Sequence, residues 1–219
     1  MVNIVAIETA TAAVSVAARH DGAIVMRGVR DATARAETVL ELLRALCTET
    51  GMPWPAVDAI AFGRGPGSFT GLRVAAAVAQ GLAYAHRRPV VPVSSLAALA
   101  QEAPGQRILA AIDARRDEVY YGLFRRLPTG LVVADGPEHL AAPDAIGVPA
   151  DTDTGVGSGF DHYRERWQFH GGLRHVPDLL PSAAGVLRLA EAAYGRGDIV
   201  DARLAAPVYL RDEVAIVRS

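Results

Sequence analysis

The stretch of this 219-residue chain that most suggests chemistry is Gly63-Arg64-Gly65-Pro66-Gly67-Ser68-Phe69-Thr70-Gly71-Leu72-Arg73. A glycine-dense loop that leaves a strand and opens a helix turns backbone N–H groups and a helix N-terminus toward an anion. It has no P-loop lysine, and Gly71 falls one residue late for the dinucleotide fingerprint Gly-x-Gly-x-x-Gly. A tight strand-to-helix connection, whose glycines take positive φ or admit a neighbouring backbone, accounts for the same letters. Two acids, Glu8 and Asp113, each end an apolar run. Carboxylates at two strand ends facing one cleft can hold a metal–nucleotide complex. The plainer alternative is an acid at a solvent edge.

Other chemistries are thinly supplied. All 22 basic residues are arginine, which removes a Walker-A lysine, a Schiff base and a lysine general base. The single cysteine, Cys47, excludes a disulfide framework and cysteine-cluster zinc sites, fits a reducing compartment, and reads as a small apolar helix residue. His20, His86, His139, His162, His170 and His175 are scattered, with no His-x-x-x-His pair, and there is no Gly-x-Ser-x-Gly elbow. A formal charge of −2 without a basic block is not that of a chain that neutralises a phosphate backbone unaided. No apolar run approaches ~18 residues, and no charged n-region precedes the first strand, so the expectation is a soluble cytoplasmic protein with no membrane association.

The elements that must position these residues follow from periodicity. Residues 2–7 are almost wholly apolar and β-branched; Val14, Val16 and Ala18 alternate with Ser15, Ala17 and Arg19; Asp21-Gly22 offers a hairpin turn into a third strand at 23–29. Residues 33–50 change to helical spacing, with Ala36, Val39, Leu40, Leu43, Leu46 and Cys47 on one stripe. A strand at 57–62, a helix at 70–86, a strand at 89–93 and a helix at 94–103 follow. The order βββαβαβα describes a mixed sheet covered on both faces, the ribonuclease H-like layout. Ile7-Glu8-Thr9, with Val14 seven residues on, is echoed by Ile112-Asp113-Ala114 and Val119. That echo reads as a degenerate duplication, giving an N-terminal lobe over residues 1–106 and a smaller second lobe over 107–219. The second copy has strands near 107–113, 118–125 and 130–135, a connection from 136 to 155 and a helix at 183–194.

The helix at 70–86 is small and apolar nearly all round, so it must pack on the sheet and also against something else. The stripe of the 33–50 helix is its natural neighbour. Either the pair is wholly internal, or it makes a surface for another subunit from Arg35, Val39, Leu43, Leu46, Leu72, Val74, Ala75, Val78 and Leu82. On the second reading an exposed stripe of Val39, Leu43, Leu46, Val74 and Val78 drives two-fold self-association of the isolated chain. Charged residues at Leu43 or Val78 would then give a soluble monomer.

Val5-Ala6-Ile7-Glu8-Thr9-Ala10-Thr11, the glycine loop, Gln80-Gly81-Leu82-Ala83, Ala110-Ala111-Ile112-Asp113-Ala114-Arg115 with Glu118-Val119-Tyr120, and Pro207-Val208-Tyr209-Leu210-Arg211 together resemble the TsaB (YeaZ) family. The likeness runs from the first strand to the last ten residues and is loose only over about 127–180. It implies an α/β chain of the actin-like ATPase fold with two ribonuclease H-like lobes. It also implies a role in moving a threonylcarbamoyl group from its adenylate to the adenosine beside the anticodon of tRNAs that read codons beginning with A. In that system a paralogue, TsaD, is the catalyst and TsaE a small ATPase. The resemblance makes this chain an accessory subunit with no cofactor of its own, save a nucleotide shared at the partner interface, and brings tRNA to it only indirectly. Vestigial nucleotide contacts would be Glu8, Thr9, Thr11 and Asp113.

The paralogue's metal-binding His-x-x-x-His pair falls, on this sequence, at Ser95 and Leu99, neither of which replaces imidazole. The family usually has aspartate where Glu8 stands and often His-Thr where Arg35-Ala36 stand. Arg35 therefore calls for a compensating acid on the partner. The rival readings are a free-standing actin-like ATPase or phosphotransferase using Glu8 and Asp113, with Gly155-Val156-Gly157-Ser158-Gly159 as its one candidate adenosine loop, and a metallopeptidase, for which no ligand set is present.

Overall fold

A computed structural model describes residues 2–20, 22–30, 35–168 and 172–211. β1 (Ile4–Glu8) is buried along its whole length. It pairs antiparallel with β2 (Val14–His20), which pairs antiparallel with β3 (Ala23–Val29). β4 (Ala59–Gly63) and β5 (Val90–Val93) add in parallel on the other side, giving the order β3-β2-β1-β4-β5. Between them run α1 (Ala36–Thr50), α2 (Phe69–His86) and, after β5, α3 (Ser95–Glu102). Asp21 of the expected turn, and positions 33 and 34 of the expected helix, lie outside the described residues. β4 starts two residues later than expected because the proline-flanked Trp54–Ala56 closes into a short 3-10 turn first.

β6 (Arg107–Arg115) and β7 (Glu118–Arg126) open a second sheet with β8 (Val132–Ala134), β10 (Thr154–Val156) and β11 (Arg174–Val176), in the order β11-β10-β6-β7-β8. β9 (His139–Ala141) pairs with β7 beyond the end of β8. With β6 in the role of β1, every pairing has the sense of its counterpart in the first sheet. The echo between Ile7 and Ile112 is thus a duplicated topology, two ribonuclease H-like lobes in the actin-like ATPase arrangement.

The sequence reading missed β9, β10, β11 and α4 (Ser158–Tyr163). Strands of three residues are too short to display an alternation. The expected connection at 136–155 contains β9, a 3-10 turn at Pro143–Ala145 and the first residues of β10. The candidate adenosine loop at 155–159 is the end of β10 running into α4, with Phe160 packed closely over Gly155.

Strand periodicity explains how each sheet is covered. Val5 and Ile7, with Ile60 and Phe62, face α1 and α2. Ile4 and Ala6, with Ala59, Ala61 and Val91, face α5 (Ala183–Arg196) through Val186, Leu187 and Ala190. In the second sheet Ile108, Ala110 and Ile112 face Leu96, Leu99 and Ala100 of α3, while Leu109 and Ala111 face Phe160 of α4. The last helix of each half therefore crosses to cover the sheet of the other half.

Candidate functional site

β1 delivers Glu8 to the end of the first sheet, but the side chain turns inward. It is fully buried, with Oε1 accepting from the Ala10 N–H at 2.7 Å and Oε2 accepting from Ser95 Oγ at 2.9 Å. Burial pushes this carboxyl above its ordinary pKa, and the bonds from Ala10, Ser95 and Thr9 offset part of the rise. Gly63 on β4 leaves the space it fills, since any Cβ there would run into the carboxylate. The expectation that Glu8 and Asp113 share a cleft therefore fails at Glu8: the side chain reaches across to the first turn of α3. Thr9 is also buried, its hydroxyl donating to the Gly71 carbonyl at 2.7 Å. Gly71 in turn admits the Thr9 carbonyl where a side chain would collide. At this position the glycine loop serves close backbone approach, with Ser68 capping α2 and donating its N–H to the Ala10 carbonyl.

Thr11 and Asp113 both line a cleft of about 740 Å³ between the lobes. Ser68, Thr70 and Thr11 line it from one side, and Asp113, Arg115, Arg116, Ser158 and His162 from the other. Asp113 is heavily engaged: Oδ1 accepts from Tyr163 Oη at 3.0 Å and from the Arg115 N–H at 2.8 Å, and Oδ2 lies 3.3 Å from His162 Nδ1. Burial and the neighbouring Asp113 carboxylate push the Tyr163 phenol up. With Glu8 sealed and Asp113 engaged, the cleft does not present the carboxylate pair that a metal–nucleotide complex would use. Among the described residues no group of three or more His, Cys, Asp or Glu is placed to hold a metal ion. Besides Asp113 and His162, the polar groups lining the cleft are arginines and hydroxyls, donors of the kind that hold an anion.

The surface of α1 and α2 also needs correction. Val39, Leu43, Leu46, Leu72, Ala75 and Val78 are buried in this chain's own core, Leu43 at 1% exposure and Val78 at 7%. They do not form an exposed stripe. The apolar stripe of α1 is the face that packs on the first sheet, as the same periodicity demands of any amphipathic helix. Of the expected interface residues, Arg35 is exposed, and Val74 and Leu82 are half-buried. The outward face of α2 is instead Arg73, Ala77, Gly81 and Tyr84, the last 76% exposed. Cys47 is half-buried and burial pushes its thiol up, so it is a poor nucleophile.

Ser95 and Leu99, the positions of the paralogue's histidines, are both fully buried, Leu99 in the core under the second sheet. Two features escaped the sequence reading. Arg73 stacks its guanidinium 3.7 Å over the Phe69 ring while Nε donates to Tyr209 Oη at 3.2 Å. The i, i+4 spacing of Phe69 and Arg73 was the available signal. Ser94, the α3 N-cap, donates to Glu138, whose carboxyl burial also pushes up. Nothing in the local sequence joins those two. No described helix is long and apolar enough to cross a membrane.

Residues 30–166 match the model of the family described as TsaD, tRNA N6-adenosine threonylcarbamoyltransferase. The tRNA threonylcarbamoyladenosine biosynthesis protein TsaB of Escherichia coli strain K12 is 35% identical over 97% of this chain and 96% of its own length. Its namesake from Haemophilus influenzae is 33% identical over 96% of this chain and 94% of its own length. The solved structure of YeaZ from Pseudomonas aeruginosa, 44% identical, superposes over 96% of this chain and all of its own with a TM-score of 0.90. With the duplicated lobes and the shared motifs, these likenesses show that the chain belongs to the TsaB (YeaZ) family.

Proposed function

We propose that this chain is the non-catalytic subunit of a tRNA threonylcarbamoyltransferase. With a TsaD-like catalytic paralogue and a TsaE-like ATPase, it supports transfer of the threonylcarbamoyl group from threonylcarbamoyl-adenylate to the adenosine at tRNA position 37. The observation that carries this reading is the pair Ser95 and Leu99: where the family resemblance would seek imidazole ligands, a buried hydroxyl bonded to Glu8 and a core leucine stand. The names of the full-length relatives supply the pathway. The partner docks on the outward face of α2 and the exposed start of α1, through Arg35, Val74, Ala77, Gly81, Leu82 and Tyr84. In the partner's absence a second copy takes its place. The subunit works in the cytoplasm, carries no cofactor of its own, and meets tRNA through the paralogue, with any nucleotide shared at the seam between the two chains.

The test is threonylcarbamoyl transfer to tRNA from the preformed adenylate, using this chain alone, the paralogue alone, and both with the small ATPase. Product only when both chains are present is the expected result. Product from this chain alone, or no dependence on it, would overturn the proposal.

A further inference from the structure

Residues 207–211 touch both walls of the cleft within five residues. On the first lobe the Val208 N–H donates to the Arg64 carbonyl at 2.8 Å, and the Val208 carbonyl lies over Gly65, where any side chain would strike it. The Tyr209 ring packs 5.4 Å from that of Phe69, and its hydroxyl accepts from Arg73. On the second lobe Arg211 pairs with Glu118 Oε2 at 2.7 Å and donates to the Ala114 carbonyl at 3.2 Å, its side chain only 20% exposed. Tyr209 and Arg211 both line the cleft.

We propose that residues 207–211 are a latch across the cleft, anchored on the first lobe by Tyr209 and caught on the second by Arg211, so that release of Arg211 widens the cleft. The other joints between the lobes, α3 and α5, are built around apolar cores, with polar links such as Gln101 to Gly130 and Val132 and the Arg188–Glu102 pair at their margins, and part only when a core is opened. The catch is a partly exposed polar contact, and such contacts open before apolar cores because little apolar area is lost with them. A partly exposed ion pair is also weakened by salt, which gives the latch an ionic-strength dependence, whereas the α3 and α5 joints keep their apolar cores when their own ion pairs are screened. The inference does not depend on the proposed function, since it concerns the free chain.

Amide hydrogen exchange of the full chain tests it, with residues 68–71 and 113–117 reporting on the two walls. Arg211→Ala and Tyr209→Ala are expected to raise exchange in both segments together by about fivefold, while the amides of β1 and of residues 107–112 of β6 stay protected. The radius of gyration from small-angle scattering should rise in the same variants. Arg211→Glu should behave like Arg211→Ala, and adding Glu118→Arg should return both segments toward the parent. The latch is overturned by unchanged exchange at either wall, by exchange that rises throughout β1 and residues 107–112 of β6 as well, or by a double variant no better protected than Arg211→Glu alone.

Discussion

The Ser95 hydroxyl donates a 2.9 Å hydrogen bond to Glu8 Oε2, and both residues are fully buried. A carboxyl so placed is held in the folded state with its pKa raised, chiefly by burial. Its preference for the proton means that folding stability falls as pH rises from the ordinary carboxylate range through the raised folded value. Glu8→Gln, which keeps the shape and the bond from the Ala10 N–H and reverses the other so that Nε2 donates to Ser95 Oγ, should therefore match the parent near pH 4 and become the more stable of the two as pH approaches neutrality. Urea unfolding across that range checks it; a stability difference independent of pH would sink the idea. Ser95→Ala, which strips Oε2 of its donor, should destabilise by about 1–3 kcal/mol.

Gly63 and Glu8 occupy one volume. Gly63→Ala forces its methyl into the Glu8 carboxylate and should cost about 1–3 kcal/mol. Combining it with Glu8→Asp, one methylene shorter, should recover part of that loss. Thermal denaturation of the two single variants and the double closes the cycle, and simple additivity would show that the two positions do not compete for space.

Because Leu43 and Val78 are core, charge at either should unfold the chain rather than yield a soluble monomer. Leu43→Ala should cost about 2–5 kcal/mol. Ala77→Arg, on the exposed face of α2, should leave the melting temperature nearly unchanged while weakening association with the catalytic paralogue. Paired circular dichroism and sedimentation measurements separate the two kinds of position.

Arg35 sits at the exposed start of α1, as its N-cap residue without a side-chain cap bond. Arg35→Glu should weaken binding to the cognate paralogue by about 0.5–1 kcal/mol, less at high salt. An unchanged dissociation constant at low salt would remove Arg35 from the interface.

Periodicity made the first sheet and its helices legible, because strands of four to seven residues and helices of fifteen and eighteen show their period or a continuous apolar run. The second sheet was legible through β6, β7 and their echo of β1 and β2, and through β8 within the apolar run near 130–135. β9, β10 and β11 hold three residues each, within which apolar and polar alternation has no room to repeat.

At the site, Asp113 was found in the cleft because a strand end is readable, whereas the direction of Glu8 depends on Gly63 and Ser95, which are 55 and 87 positions away. The apolar faces of α1 and α2 were correctly picked out but could not be assigned to core or surface. An amphipathic stripe looks the same whether it meets its own sheet or another chain. Tyr209 and Arg211 belonged to a recognised motif, but their contacts with Phe69, Arg73 and Glu118 depend on a chain path that no local pattern records.

The crossing of α3 and α5 also fixes when the protein can fold. During synthesis the first sheet emerges complete by Val93, yet the face formed by Ala6, Ala59 and Ala61 stays bare until α5 has left the ribosome some hundred residues later. A nascent chain halted before Ala183 thus leaves that apolar sheet face open to water. The two halves mature together near the end of translation, rather than one after the other.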